Sequence, residues 1–204
     1  MRAFIAIDLP NEVREALAHR QRAIREVAEQ RSRKAIRWTR PEGIHLTLKF
    51  LGEISEGKVA DVANALRSLG DFDPFRLAIA GVGFFPSRGQ PRILWAGLDA
   101  PGQLGELAAR IESAMEPLGF EREARAFTPH LTLARINGRL NPAEVEAMLM
   151  AGGQNALGSE SASTGERTDC SFEVSEFFLF ESRLHPSGAE YRKVMRFPAP
   201  RENP

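Results

Sequence analysis

The tetrapeptide His-Leu-Thr-Leu occurs twice, at His45–Leu48 and at His130–Leu133, and takes two of the chain's four histidines. Side chains alternate between faces along an extended strand, so each copy sets His and Thr on one face and two leucines on the other. The leucines are candidates for core and the His/Thr faces for chemistry. Imidazoles titrate near about 6.5, so two at one site can divide a reaction, one accepting a proton while the other donates. One histidine on a half-buried strand needs no function; the same four residues met twice point to a paired site. Paired imidazoles suit cleavage of a phosphodiester without a metal. One takes a proton from the attacking water and the other protonates the leaving alkoxide. Thr47 and Thr132, each two residues beyond its histidine, offer hydroxyls to the phosphoryl oxygens.

Other common sites are missing from the sequence. It has no Gly-x-Ser-x-Gly elbow, no phosphate-binding Gly-x-x-x-x-Gly-Lys loop, no His-Glu-x-x-His and no Gly-x-Gly-x-x-Gly after a strand. A metal held by the two histidines would need a further ligand that neither motif carries beside it, so neither metal nor cofactor is expected. Cys170 is the only cysteine, which excludes an internal disulfide and a thiolate-rich metal site. Lys plus Arg and Asp plus Glu balance at 27 each, so there is no global basic field of the kind a general nucleic-acid binder carries. The charge is uneven, however. Eight basic residues (Arg20, Arg22, Arg25, Arg31, Arg33, Lys34, Arg37 and Arg40) face only Glu26 and Glu29 over 20–40. This run reads as the solvated face of a helix, with a phosphate-binding patch as the alternative. Asp8 and Pro10 interrupt the first apolar run short of a secretory core or membrane span, so a cytoplasmic protein is expected.

The elements that must position the two motifs follow from periodicity. Residues 2–8 alternate as a strand, and Pro10-Asn11 opens a helix with Val13, Leu17, Ile24 and Val27 on one side. A strand over 44–51 ends at Gly52, and Ser55 caps a helix carrying Val59, Val62, Ala63 and Leu66. Phe75, Leu77 and Ile79 begin a strand toward Pro86, joined through a Ser-Arg-Gly-Gln-Pro turn to a strand over 93–98. A helix over 101–118, the second motif strand over 130–136, a helix over 142–150, a strand over 172–181 and a last one over 191–197 complete the pattern. Each half thus reads strand, helix, motif strand, helix, strand. The motifs are 85 residues apart, too far for a solenoid repeat, which predicts one duplicated lobe facing its copy across a pseudo-two-fold with both histidines in the central cleft. Residues 1–198 read as one bilobal domain. Residues 151–168 read as a flexible loop and 199–204 as a disordered tail. No long apolar seam calls for a partner copy, so a monomer is expected.

The chain resembles the 2H phosphoesterases, and among them the RNA 2′,3′-cyclic phosphodiesterases also called 2′-5′ RNA ligases. The matching stretches are Phe4–Ile7, His45–Gly52 and Pro129–Arg135, with weaker matches at Gly83–Pro86, Leu94-Trp95 and Phe180–Ser182. The resemblance implies an α+β fold of two antiparallel sheets flanked by helices around a central cleft. It implies hydrolysis of a terminal 2′,3′-cyclic phosphate to a 2′-phosphate, with RNA ends or small cyclic nucleotides as partners. It makes His45 the proton donor to the departing 3′ oxygen and His130 the proton acceptor from water, with Thr47 and Thr132 on the phosphate. It also places Arg135 and Phe50 near the terminal base. Arg135 is read as sharing the face of Thr132, whereas Phe50, five residues beyond His45, falls by alternation on the opposite face and can be a core residue. Two other readings stand beside this one. The same groups run in reverse would join a cyclic-phosphate end to a 5′-hydroxyl. A module that grips RNA ends without turning them over would use the basic run and a stacking aromatic.

Overall fold

A computed structural model of the chain describes residues 1–28, 32, 34–153, 170–185 and 188–199. In chain order the elements are β1 (Arg2–Ile7), α1 (Asn11–Val27), β2 (Ile36–Trp38), β3 (Leu46–Glu53), α2 (Glu56–Arg67), β4 (Phe75–Phe85) and β5 (Ile93–Asp99). Then come α3 (Gly102–Met115), β6 (His130–Ile136), α4 (Pro142–Ala151), β7 (Ser171–Val174), β8 (Glu176–His185) and β9 (Gly188–Pro198). All strand pairs are antiparallel, in one sheet of order β3-β1-β8-β9 and another of order β2-β6-β5-β4-β7.

Helix starts follow local chemistry. The Ser55 hydroxyl accepts from the Lys58 amide at the head of α2, and the Asn141 side chain accepts from the Glu144 amide at 2.8 Å before Pro142 opens α4. In α1 the buried positions Val13, Leu17 and Ile24 form one stripe, joined by the buried Gln21, whose amide nitrogen donates to the carbonyls of Thr39 and Leu133. The expected helix over 101–118 is α3 followed by a 3₁₀ turn at Glu116–Leu118.

The duplication is legible in strand order. Aligning β3-β1-β8-β9 with β6-β5-β4-β7 superposes the two motif strands, their immediate partners and the strand that closes each half. The halves exchange those closing strands: β4 follows α2 but pairs with β5, and β8 follows α4 but pairs with β1. β1 is consequently buried throughout from Ala3 to Ile7. Ala3, Ile5 and Ile7 enter the main hydrophobic core. Phe4 and Ala6 form a separate cluster with Phe178 and Phe180, with Tyr191 packed against it.

Three expectations change. The run over 172–181 is two strands in different sheets, β7 beside β4 and β8 beside β1, because the apolar alternation slips phase at Ser175. β2, three residues on the edge of the larger sheet, is too short to show in periodicity. The chain also stays packed where a loop and a frayed tail were expected to begin. Gly152 lies so close to Val82 and Ile24 that a Cβ there would meet the valine at 2.3 Å, and the Ala199 amide bonds to the Ser175 carbonyl. The rest of the expected loop and tail falls outside the described residues. Among the described residues no helix is long and apolar enough to cross a membrane.

Candidate active site

Both motifs adopt the alternation their sequence requires. Leu46, Leu48, Leu131 and Leu133 are buried in the main core. Thr47 lies opposite Ala6 of β1, and Thr132 opposite Trp95 of β5. His45 immediately precedes β3, and His130 opens β6 opposite Gly97. Each imidazole is anchored alike: Nδ1 of His45 lies 2.8 Å from the Gly43 carbonyl, and Nδ1 of His130 lies 2.8 Å from the Thr128 carbonyl. A carbonyl can only accept, so Nδ1 carries the hydrogen in both rings. Each neutral ring therefore keeps the lone pair on Nε2, the nitrogen left over for proton exchange.

Strict alternation fails next, and in the same place in both copies. The pairing of β3 with β1 steps from Thr47↔Ala6 to Lys49↔Ile5, skipping Leu48; that of β6 with β5 steps from Thr132↔Trp95 to Ala134↔Leu94, skipping Leu133. Each motif's last leucine is thus the extra residue of a β-bulge. The bulge turns Lys49 to the core side, where its ammonium bonds to Glu112 of α3 at 2.6 Å and to the Glu121 carbonyl at 2.9 Å. It also returns the residue three places beyond each threonine to the threonine's face. That residue is Phe50 in β3, opposite Phe4, and Arg135 in β6, opposite Ile93. Phe50 is therefore no core residue: its side chain is 67% exposed, with its ring 6.2 Å from Phe4. Arg135 shares the face of Thr132 as expected, but through the bulge rather than through simple alternation. β3 and β6 approach each other where the sheets meet, and the charge of Arg135 bears on His45. The two motif strands thus lie against each other, with Arg135 of one close enough to act on His45 beside the other.

A family model described as LigT like phosphoesterase matches residues 7–95 and 98–191. The chain belongs to the LigT-like phosphoesterase family. It is 34% identical over 197 residues to an RNA 2′,3′-cyclic phosphodiesterase of Archaeoglobus fulgidus, covering 97% of this chain and 99% of that one. It is 33% identical over 204 residues to an RNA 2′,3′-cyclic phosphodiesterase of Thermus thermophilus, covering 97% of this chain and 89% of that one. Among solved structures, E. coli LigT complexed with 3′-AMP superposes with a TM-score of 0.71 at 26% identity over 98% of both chains.

In this phosphoesterase the two histidines sit in unlike surroundings. The His45 ring stacks on Phe4 at 4.6 Å between centroids and meets the edge of Tyr191 at 4.8 Å. β3 and β9 are opposite edges of their sheet, so a contact between residues on their two sides shows how strongly that sheet curls. Asp8 follows β1 in the same neighbourhood and is held between two cations, Arg14 of α1 and, at 2.5 Å, the Lys193 ammonium. Burial among these rings pulls the His45 pKa down to about 4. The Gly43 carbonyl and Asp8 oppose the fall, while Arg14 and Arg135 add to it. His130 instead meets the edge of Phe85 at 5.0 Å, and Phe85 packs on Trp95. The indole lies flat against Gly83, where a Cβ would come within 2.3 Å of its ring.

Sequence reasoning missed Asp8, Arg14 and Tyr191 as neighbours of His45, and Lys193 as a partner of Asp8. Phe4, Phe85 and Trp95 were visible only as members of family-like stretches. Among the described residues no three His, Cys, Asp or Glu side chains cluster as metal ligands.

Proposed function

We propose that this protein hydrolyses the terminal 2′,3′-cyclic phosphate of RNA to a 2′-phosphate, with His45 and His130 carrying the two proton transfers. The observation that supports the reading is the twin anchoring of the imidazoles, which leaves the same nitrogen open on both rings. The names of the relatives supply the substrate class. Nε2 of His130 takes a proton from water as the water oxygen bonds to phosphorus. The bond from phosphorus to the 3′ oxygen breaks, and protonated His45 hands that oxygen its proton. Thr47 and Thr132 donate hydrogen bonds to the phosphoryl oxygens, and Arg135 with Phe50 flanks the terminal base.

His45 stands neutral in the free protein at neutral pH, because its pKa is near 4. The anionic substrate supplies the missing condition. A negative phosphate beside the ring favours the imidazolium, so the acid is charged by the group it is to act upon. Both transfers are covered by side chains, so the step needs no metal.

An RNA oligonucleotide ending in a 2′,3′-cyclic phosphate tests this. The expected product is the 2′-phosphate end alone, formed at an unchanged rate in EDTA. His45→Ala and His130→Ala should each lower turnover about 10²- to 10⁴-fold with the circular dichroism spectrum retained. A 3′-phosphate product, loss of activity to the chelator, or full turnover in either variant would refute the assignment.

A further inference from the structure

The basic run over 20–40 divides in the fold. Arg20 donates to the Ala80 carbonyl, Arg22 lies beside His19 at 3.4 Å, and the Arg25 guanidinium covers the Trp38 ring at 4.7 Å. Arg37 lies elsewhere. It is the middle residue of β2, and the register of β2 on β6 sets it directly opposite Arg135, between the pairs Ile36↔Ile136 and Trp38↔Ala134. Ile36, Ile136 and Ala134 are buried, so the two arginines occupy the other face, where both are exposed. That is the face of Thr132 and the cleft.

Directly opposed residues on one face have Cβ atoms about 4.5–5.5 Å apart, and like charges in that relation repel. Neither arginine pairs with a carboxylate among the described residues. Two such guanidiniums side by side form a site whose stability improves when an anion lies between them, and their planar forks suit a phosphate.

We infer that Arg37, beside Arg135, holds the phosphodiester on the 5′ side of the terminal nucleotide, making the enzyme prefer oligonucleotide ends to isolated cyclic mononucleotides. The inference rests on the proposed hydrolysis for the position of the reacting phosphate. With that phosphate at Thr132, the arginine pair begins roughly 7 Å along the strand once the bulge residue is discounted, and Arg37 lies about 5 Å further across on β2. Arg135 borders the terminal base, so the next anion of the chain is the one that can reach Arg37. A nucleoside 2′,3′-cyclic monophosphate has no phosphate there.

The test compares a dinucleotide ending in a 2′,3′-cyclic phosphate with a nucleoside 2′,3′-cyclic monophosphate on wild type, Arg37→Ala and Arg37→Lys. Wild type should favour the dinucleotide in kcat/KM. Arg37→Ala should shrink that preference roughly tenfold, mainly through the KM for the dinucleotide, and Arg37→Lys should restore part of it. The log–log salt slope for oligonucleotide binding should also fall by about 0.7 in Arg37→Ala, the loss of one phosphate contact on a single strand. Equal losses on both substrates, or none, overturn the assignment, and thermal melts of the variants identify any loss that comes from unfolding. Binding of the two 2′-phosphate products reads the same subsite without turnover, and an Arg37→Ala protein that discriminates between them as wild type does also overturns it. A wild type that discriminates in binding but hydrolyses neither substrate refutes the hydrolysis alone.

Discussion

The proton inventory of His45 gives the sharpest prediction. Its pKa falls from the ordinary 6.5 to about 4 in the free protein, chiefly through burial. That gap is worth about 3 kcal/mol against the charged form. A monoanionic phosphate about 4 Å from the ring, at an effective dielectric near about 20, returns about 4 kcal/mol. On these figures substrate binding would bring the imidazolium back into the neutral range, and proton uptake would be coupled to phosphate binding. Nuclear magnetic resonance titration of the His45 ring should show a midpoint near 4 in the free protein. In His130→Ala protein, saturated with a nucleoside 2′,3′-cyclic monophosphate that it turns over only slowly, the midpoint should rise by two to three pH units, on the order of the Coulomb term. Stability gives a second readout. The folded state disfavours the imidazolium, so between pH 6.5 and 4 the unfolded chain binds more protons and stability is lost as the pH is lowered. His45→Gln should abolish about 3 kcal/mol of that acid loss. An ordinary midpoint in the free protein, or no rise on loading, would remove the account of how His45 becomes an acid.

The two bulges supply the remaining predictions. Phe50→Ala should leave the denaturant midpoint within about 0.5 kcal/mol of wild type, because the ring is 67% exposed, yet raise KM for oligonucleotide ends roughly five- to a hundredfold. An unchanged KM would detach Phe50 from the substrate. Lys49→Met should cost about 1–3 kcal/mol in chemical denaturation by leaving Glu112 with only the Glu123 amide as partner, and adding Glu112→Leu should recover most of the loss. A single variant as stable as wild type would show that the ion pair is dispensable.

Sequence patterns revealed the parts of this protein that local physics governs. The helical stripe of Val13, Leu17 and Ile24 and the cap at Ser55 were readable within one or two turns of chain. So was the split of each His-Leu-Thr-Leu into a core face and a chemical face. What escaped depends on pairing between distant segments. β4 and β8 carry no local mark of the sheet they join, and Tyr191 reaches His45 only because the smaller sheet curls. The bulges lie between these cases. Nothing in the tetrapeptide requires an extra residue at Leu48 or Leu133, and period-two reasoning consequently assigned Phe50 to the core. Yet both copies break register at the same leucine. A one-residue slip reverses the face of everything beyond it, so without the bulge Phe50 and Arg135 would turn away from the cleft while Lys49 would enter it. The irregularity thus belongs to the duplicated unit, extending the His/Thr face of each motif strand by one residue.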